Sequence, residues 1–254
     1  YEGGHINMGK YNYNISSVEK AFKIIEIMSE NNGGMSVTQI SERLDSSVSS
    51  VNRFLMTLYD MGYVDKDHTD NRYYLTSKFH ILSNSLLKQN TLLSKYVPLA
   101  NYISTEYSAM VNINSYINGS VFHLYKDNKV IFSKELDFKL GDTIPAYCCS
   151  AGKIMLSEYT ENELSKFFEN TLLIKYQPNT LSSEIDVRNE INNVRKNGFS
   201  VHDNEYILGL FCISFPLKPI GKYKGCITVI VPTSEKSRIF NKEFINTIKA
   251  KIDK

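Results

Sequence analysis

The stretch from Ser36 to Leu75 constrains this chain most. It reads as two short amphipathic helices parted by a three-residue turn and followed by two short alternating runs. Ser36 with Gln39 three residues on forms a capping box, and Val37, Ile40 and Leu44 supply an apolar stripe. Asp45-Ser46-Ser47 is a turn that also offers N-cap side chains. A further helix runs from about Val48 to Met61, with Val48, Val51, Leu55 and Leu58 on one face and Gly62 placed to end it. Tyr63–Asp67 alternates like a strand, His68–Asn71 is a turn, and Arg72–Leu75 is the returning strand. Upstream, residues 16–30 open on another capping box, Ser16 with Glu19, and place Val18, Ala21, Phe22, Ile25 and Met28 at helical spacing. A helix, then a helix-turn-helix, then a two-stranded wing is the order of a winged helix-turn-helix, here over residues 15–76.

In that architecture the third helix enters the DNA major groove. Its outer face carries Ser47, Ser49, Ser50, Asn52, Arg53, Met56 and Thr57, with no acid before Asp60. Small hydroxyls and Asn52 can meet phosphates and base edges, and Arg53 can reach a phosphate or a guanine. Ser36 at the head of the second helix, and Lys66, His68 and Arg72 on the wing, complete the candidate DNA contacts. Charge limits how strongly they can bind. The chain has 29 Lys+Arg against 27 Asp+Glu, a formal net charge of +2. Residues 8–76 alone carry seven basic and nine acidic residues. Non-specific attraction to phosphates is therefore weak, and the expected affinity is modest, salt-sensitive and dependent on dimerisation.

Beyond the wing, residues 77–96 read as one helix without Gly or Pro, with Phe79, Leu82, Leu86 and Leu93 among its apolar positions. Such a linker is either buried within its own subunit or paired with a second copy, and Pro98 then opens a further helix to about Tyr107. From Met110 the period changes to that of strands. Met110–Asn118, Ser120–Lys126 and Lys129–Leu136 come first, with a hairpin signal at Asn118-Gly119. A short helix from about Ala151 and helices over Glu161–Asn170 and Ser182–Asn197 follow. Phe199–Glu205, Gly209–Leu217 and Cys226–Val231 read as strands, and Glu243–Ile252 as a last helix. The whole is α+β, with a second domain over 97–254. Residues 1–14 are expected to be a disordered or vector-derived leader.

Several function classes drop out. Cys148, Cys149, Cys212 and Cys226 make no C-x-x-C pair, so no zinc knuckle or redox motif is expected, and reduced cytoplasmic thiols are the simplest reading. No apolar run approaches the ~18 residues of a membrane span. No Gly-rich nucleotide loop or metal-ligand spacing occurs, so neither cofactor nor metal is expected.

A head-and-wing pattern and, after it, three ordered segments of the second domain then carry a resemblance. Ser50-Val-Asn-Arg53-Phe-Leu-Met-Thr-Leu58-Tyr-Asp-Met-Gly62-Tyr-Val64 with Arg72-Tyr-Tyr-Leu75, the run Ile144-Pro145 to Ser150-Ala-Gly152-Lys153, and Arg195-Lys-Asn-Gly198-Phe with Glu205-Tyr-Ile-Leu-Gly209-Leu-Phe-Cys212-Ile resemble the IclR family of bacterial transcriptional regulators over about Ile15–Ile252. The resemblance implies a GAF-like effector domain with an antiparallel sheet flanked by helices, an operator DNA partner, and homodimers or tetramers. It also implies an effector pocket. Backbone donors would come from Ser150 and Ala151, and side chains from His202, Cys212, Thr228 and Ile230. His202 and Ile230 depart from the family pattern, and a one-residue shift of register would bring in Asp203 as an acid. A cationic His202 and the N-terminus of the helix at Ser150 would both favour an anionic effector, an organic or sugar acid. Two other readings stay open: a small-molecule sensor that does not bind DNA, given the acidic head, and a cysteine-dependent enzyme built on Cys212 and His202.

Overall fold

A computed structural model describes residues 15–31, 33–117, 120–127, 144–221 and 224–254. The expected leader over 1–14, the hairpin turn at Asn118-Gly119 and the strand over Lys129–Leu136 lie outside the described residues. Contacts divide the chain into two units, one ending at Leu87 and the other beginning at Lys88.

In the first unit α1 (Ser16–Ser29), α2 (Val37–Leu44) and α3 (Val48–Asp60) precede β1 (Val64–Lys66) and β2 (Tyr73–Leu75), which pair antiparallel. The capping box of α2 is present: Ser36 Oγ accepts from the Gln39 amide at 3.3 Å, and Gln39 Oε1 accepts from the Ser36 amide at 3.0 Å. Ser47 caps α3 by accepting from the Ser50 amide at 3.3 Å. Ile24, Met28, Met35, Ile40, Val51, Leu55, Leu58, Val64 and Tyr73 close one core. A two-way backbone bridge between Met35 and Tyr73 ties the α1–α2 loop to the wing. Gly34 permits that approach. It sits at φ +67, and a Cβ there would lie 2.4 Å from the Tyr74 ring.

Three expectations for this unit need correction. The first helix has no capping box, because Ile15 is its N-cap and Glu19 pairs instead with Lys23 at 2.6 Å. Its buried stripe is Ile24 and Met28, while Val18 and Phe22 stay exposed, Phe22 at 60 %. Val48 is likewise 49 % exposed rather than part of the buried face of α3.

Residues 77–96 do not form one helix. They belong to α4 (Lys78–Gln89) and α5 (Thr91–Glu106), which part at Asn90. The buried Asn90 caps α5 by accepting from the Leu92 amide at 3.1 Å, which competes with continuation of α4. Pro98 lies inside α5 rather than at the start of a new helix. Burial of Leu92, Leu93, Tyr96, Ala100 and Ile103 on one side of α5 outweighs the hydrogen bond that proline forfeits.

The second unit is built on a sheet of order β4-β3-β7-β6-β5, each pair antiparallel. Its strands are β3 (Met110–Ile117), β4 (Ser120–Asp127), β5 (Ser200–Asp203), β6 (Leu210–Pro216) and β7 (Gly225–Pro232). Between β4 and β5 come α6 (Ser150–Ser157), α7 (Glu161–Glu169) and α8 (Glu184–Asn197), and after β7 come α9 (Lys236–Ile239) and α10 (Lys242–Asp253). Because side chains alternate across a strand, Val111, Ile113, Phe211, Ile213, Phe215, Ile227, Val229 and Val231 share one face. They form a single core with Tyr96, Ala100 and Ile103 of α5 and Phe244, Ile248 and Ile252 of α10. The residues between them, among them Asn112, Asn114, Cys212, Ser214, Thr228 and Ile230, share the opposite face, on which α6 packs. Among the described residues no helix is long and apolar enough to cross a membrane, and no group of side chains could hold a metal ion.

Candidate functional site

Two regions qualify, one in each unit. In the first, Ser47, Ser49, Asn52 and Arg53 are exposed along α3, and Ser50 is half-buried beside them. Arg53 has no ion-pair partner among the described residues, so its guanidinium stands open on a helix face without acids. On the wing, Arg72 Nη1 donates to the Gly33 and Gly34 carbonyls at 3.2 and 3.3 Å, and its Nε lies 3.8 Å from Asp70. These bonds brace the wing against the α1–α2 loop, while the side chain stays 41 % exposed. Lys66 lies over the Tyr73 ring at 5.5 Å, and His68 is exposed in the wing turn. Ser36 is occupied as a cap, though a cap hydroxyl retains its own hydrogen.

The second region is a cavity between α6 and the polar face of the sheet, with about 520 Å³ of unfilled space including its mouth. Ser150, Ala151, His202, Cys212, Thr228 and Ile230 all line it. Asp203 does not. One residue along β5 from His202, it falls on the other face and pairs with Lys236 at 2.6 Å, so the shifted register is not adopted. The sequence reading missed Asn112, Asn114, Val121, His123, Ile144, Cys149, Tyr206 and Leu210, which complete the lining. A signal for two of them was present. Val111-Asn112-Ile113-Asn114 alternates amides with apolar residues in the first half of β3, which marks a face that meets something other than core.

The polar groups on this face form a directed chain. His123 Nδ1 lies 2.6 Å from Asn114 Oδ1, and since an amide oxygen only accepts, the histidine donates. Asn114 Nδ2 donates to Thr228 Oγ1 at 2.7 Å. Ser214 Oγ gives its one hydrogen to Ser150 Oγ at 2.8 Å, so Thr228 is the donor across the 2.8 Å contact with Ser214. The chain therefore runs from His123 through Asn114, Thr228 and Ser214 to Ser150. Each bond polarises the next, and the hydrogen of Ser150 has no acceptor among the described residues.

Ser150 also opens α6. Cys149 is the N-cap, its Sγ accepting from the Gly152 amide at 3.3 Å, while the amides of the first helical turn have no acceptor within the helix. The helix end sits where it does because residue 152 is glycine: a Cβ there would lie 2.3 Å from Ala146 Cα and carbonyl oxygen. Behind it, Lys153 is buried against Glu205 at 2.6 Å and donates to the Val201 carbonyl at 2.9 Å. Burial pushes the Glu205 carboxyl up, and the Lys153 ammonium opposes that shift.

His202 corrects a further expectation. It is 4 % exposed, and its Nε2 accepts from the Tyr206 amide at 3.0 Å and from the Ile207 amide at 3.5 Å. A nitrogen that accepts carries no proton, so Nδ1 holds it and faces Cys212 Sγ at 3.9 Å. Burial, and then the positive Lys153, hold its pKa down at about 4. The ring is neutral and is not the cation expected from the sequence. The same geometry removes the cysteine-enzyme reading. His202 has no free lone pair to take a proton from Cys212, and burial pushes the Cys212 thiol up. Cys149 is pushed up to about 12, again by burial.

Comparison with known proteins places both regions. Residues 85–254 match the family model described as the bacterial transcriptional regulator IclR C-terminal domain, and residues 17–68 match the IclR helix-turn-helix domain. The transcriptional repressor IclR of Escherichia coli K12 is 22 % identical over 207 residues, covering 79 % of this chain and 73 % of that protein. Among solved structures, an IclR transcriptional regulator from Alicyclobacillus acidocaldarius superposes with a TM-score of 0.78 at 18 % identity over 95 % of this chain and 96 % of the other. An IclR homolog from Microbacterium hydrocarbonoxydans, complexed with 4-hydroxybenzoate, gives 0.75 at 13 % identity over 93 % and 99 %.

Proposed function

The chain belongs to the IclR family of bacterial DNA-binding transcriptional regulators, and on that premise we propose that it is a repressor whose cavity takes a small organic acid and whose operator affinity changes in response. The observation that carries this reading is the hydrogen-bond chain ending on Ser150 at the N-terminus of α6. A spare hydroxyl hydrogen, the Ser150 and Ala151 amides of the first helical turn and the helix dipole converge there, and all three favour a carboxylate. That the Microbacterium homolog holds an aromatic acid supports the same class of ligand. The ligand acts by binding one arrangement of the protein better than another, since only differential affinity shifts such an equilibrium. A homodimer or tetramer would present two heads to a pseudo-palindromic operator.

Ser47, Ser49, Ser50, Asn52 and Arg53 read the operator, with Lys66 and His68 on flanking phosphates. The test is fluorescence anisotropy with DNA from upstream of its own gene. Arg53→Ala should weaken specific binding by about tenfold or more, at one strong base or phosphate contact, while leaving thermal stability and acid binding unchanged. Undiminished operator affinity in that variant would displace α3 as the recognition helix. The acidic excess of residues 8–76 favours a second reading, a sensor without DNA binding. Absence of binding by the unaltered protein even at low salt would establish it.

A further inference from the structure

We infer that the acid held in the cavity also carries a hydroxyl group, and that the Asn112 carboxamide reads it; this rests on the effector reading above. Asn112 lies on β3 between Val111 and Ile113, is 1 % exposed, and lines the cavity. Its Oδ1 is buried with no hydrogen-bond partner. Buried amides are almost always paired, so an unpaired one in a cavity wall marks a place where a ligand supplies the partner.

The neighbouring polar groups cannot supply it. Asn114, Thr228 and Ser214 each spend a hydrogen on the next member of the chain that ends at Ser150, and the His202 acceptor is taken by two backbone amides. Two unmet demands remain on the cavity wall. One is the donor cluster at Ser150, suited to a carboxylate. The other is the Asn112 amide, which presents an acceptor beside a donor. A hydroxyl is both donor and acceptor and satisfies either orientation of that amide. A hydrogen or methyl in its place leaves the amide unpaired. A second carboxylate would meet only the NH2 side of that amide and leave Oδ1 facing like partial charge. Val121, Ile144, Leu210 and Ile230 line the space as apolar surface, matching a hydrocarbon or ring skeleton.

Isothermal titration calorimetry of the full chain with two matched pairs tests this: 4-hydroxybenzoate against benzoate, and gluconate against hexanoate. In at least one pair the hydroxylated acid should bind about tenfold tighter or more, because a site built to bond a hydroxyl rejects the analogue without it. Asn112→Leu, of similar volume, should bring that pair to within about threefold by weakening the hydroxylated member, as expected when a buried bond is lost. If that variant does not fold, Asn112→Ser should fold and retain part of the discrimination. Acids that bind with no preference in either pair, or a preference that survives Asn112→Leu, would overturn the inference while leaving the acid-sensing reading intact. If none of the four acids binds, the effector reading falls and this inference with it.

Discussion

The two faces of the five-stranded sheet are made by the same strands and differ only in which alternate residues they use. Val111, Ile113, Phe211, Ile213, Phe215, Ile227, Val229 and Val231 are sealed under α5 and α10, with Tyr107 edge-on to Phe244 at 4.7 Å. Asn112, Asn114, Cys212, Ser214, Thr228 and Ile230 meet α6 across a cavity instead. The sealed face is predominantly apolar and derives its stability from contact. The cavity face carries a hydrogen-bond chain, a neutral histidine and an unpaired amide. One face therefore holds the unit together while the other borders a cavity, at a spacing of a single residue.

The sharpest way to break this division is Phe215→Ala. Phe215 is fully buried and packs near Phe199 and Phe244. Truncation should cost about 3–5 kcal/mol of unfolding free energy, from lost transfer energy plus the cavity left behind. Denaturant titration reads that loss, and acid affinity at concentrations where the protein stays folded should be unchanged. A fall in acid affinity as large as the fall in stability would mean that the two faces are not separable.

A pH experiment probes the cavity face. The folded pKa of His202 is about 4 against an ordinary 6.5. Below 6.5 the unfolded chain takes up a proton that the native ring refuses, so stability is lost as pH falls from about 6.5 to about 4 and is fully present above. The loss amounts to roughly 3 kcal/mol across that window. His202→Gln places an acceptor near the position of Nε2 and does not titrate, so it should flatten this part of the stability profile. A profile unchanged by the substitution would place the acid lability elsewhere.

These residues also show what could be read in advance. The α2 cap and the α3 cap follow from local sequence, and they were legible because a cap needs only neighbours three or four positions away. The face of α1 was not legible. That helix has apolar residues on several sides, and which of them are buried is decided by α2, not by its own period. The lining role of Ser150, Cys212 and Thr228 came from resemblance, whereas the charge of His202 could not. It depends on two amides at 206 and 207 and on burial beside Lys153, neither of which a one-dimensional pattern contains. Asn112 lay between these cases, visible as an amide out of place in an apolar strand yet without meaning until its partners were known to be absent.

The smallest expected effect on stability is the most discriminating. Ser214 and Phe215 are adjacent on β6 and point to opposite faces. Ser214→Ala removes one hydroxyl from the middle of the chain and leaves Thr228 and Ser150 without their shared partner. The stability cost should be about 1 kcal/mol, the usual net worth of such a bond, since both stranded hydroxyls can reorient within the cavity. The effect on ligand should be larger in proportion. Without Ser214 to donate to it, the Ser150 oxygen is no longer polarised, and its hydrogen is free to turn toward Thr228 and away from the cavity. Calorimetry with benzoate or 4-hydroxybenzoate should show affinity reduced by about tenfold, with no change in the preference for the hydroxylated acid, because that preference belongs to Asn112. Loss of preference together with affinity would couple the two ends of the cavity. Loss of stability on the scale of Phe215→Ala would show that the hydrogen-bond chain is part of the core rather than part of the site.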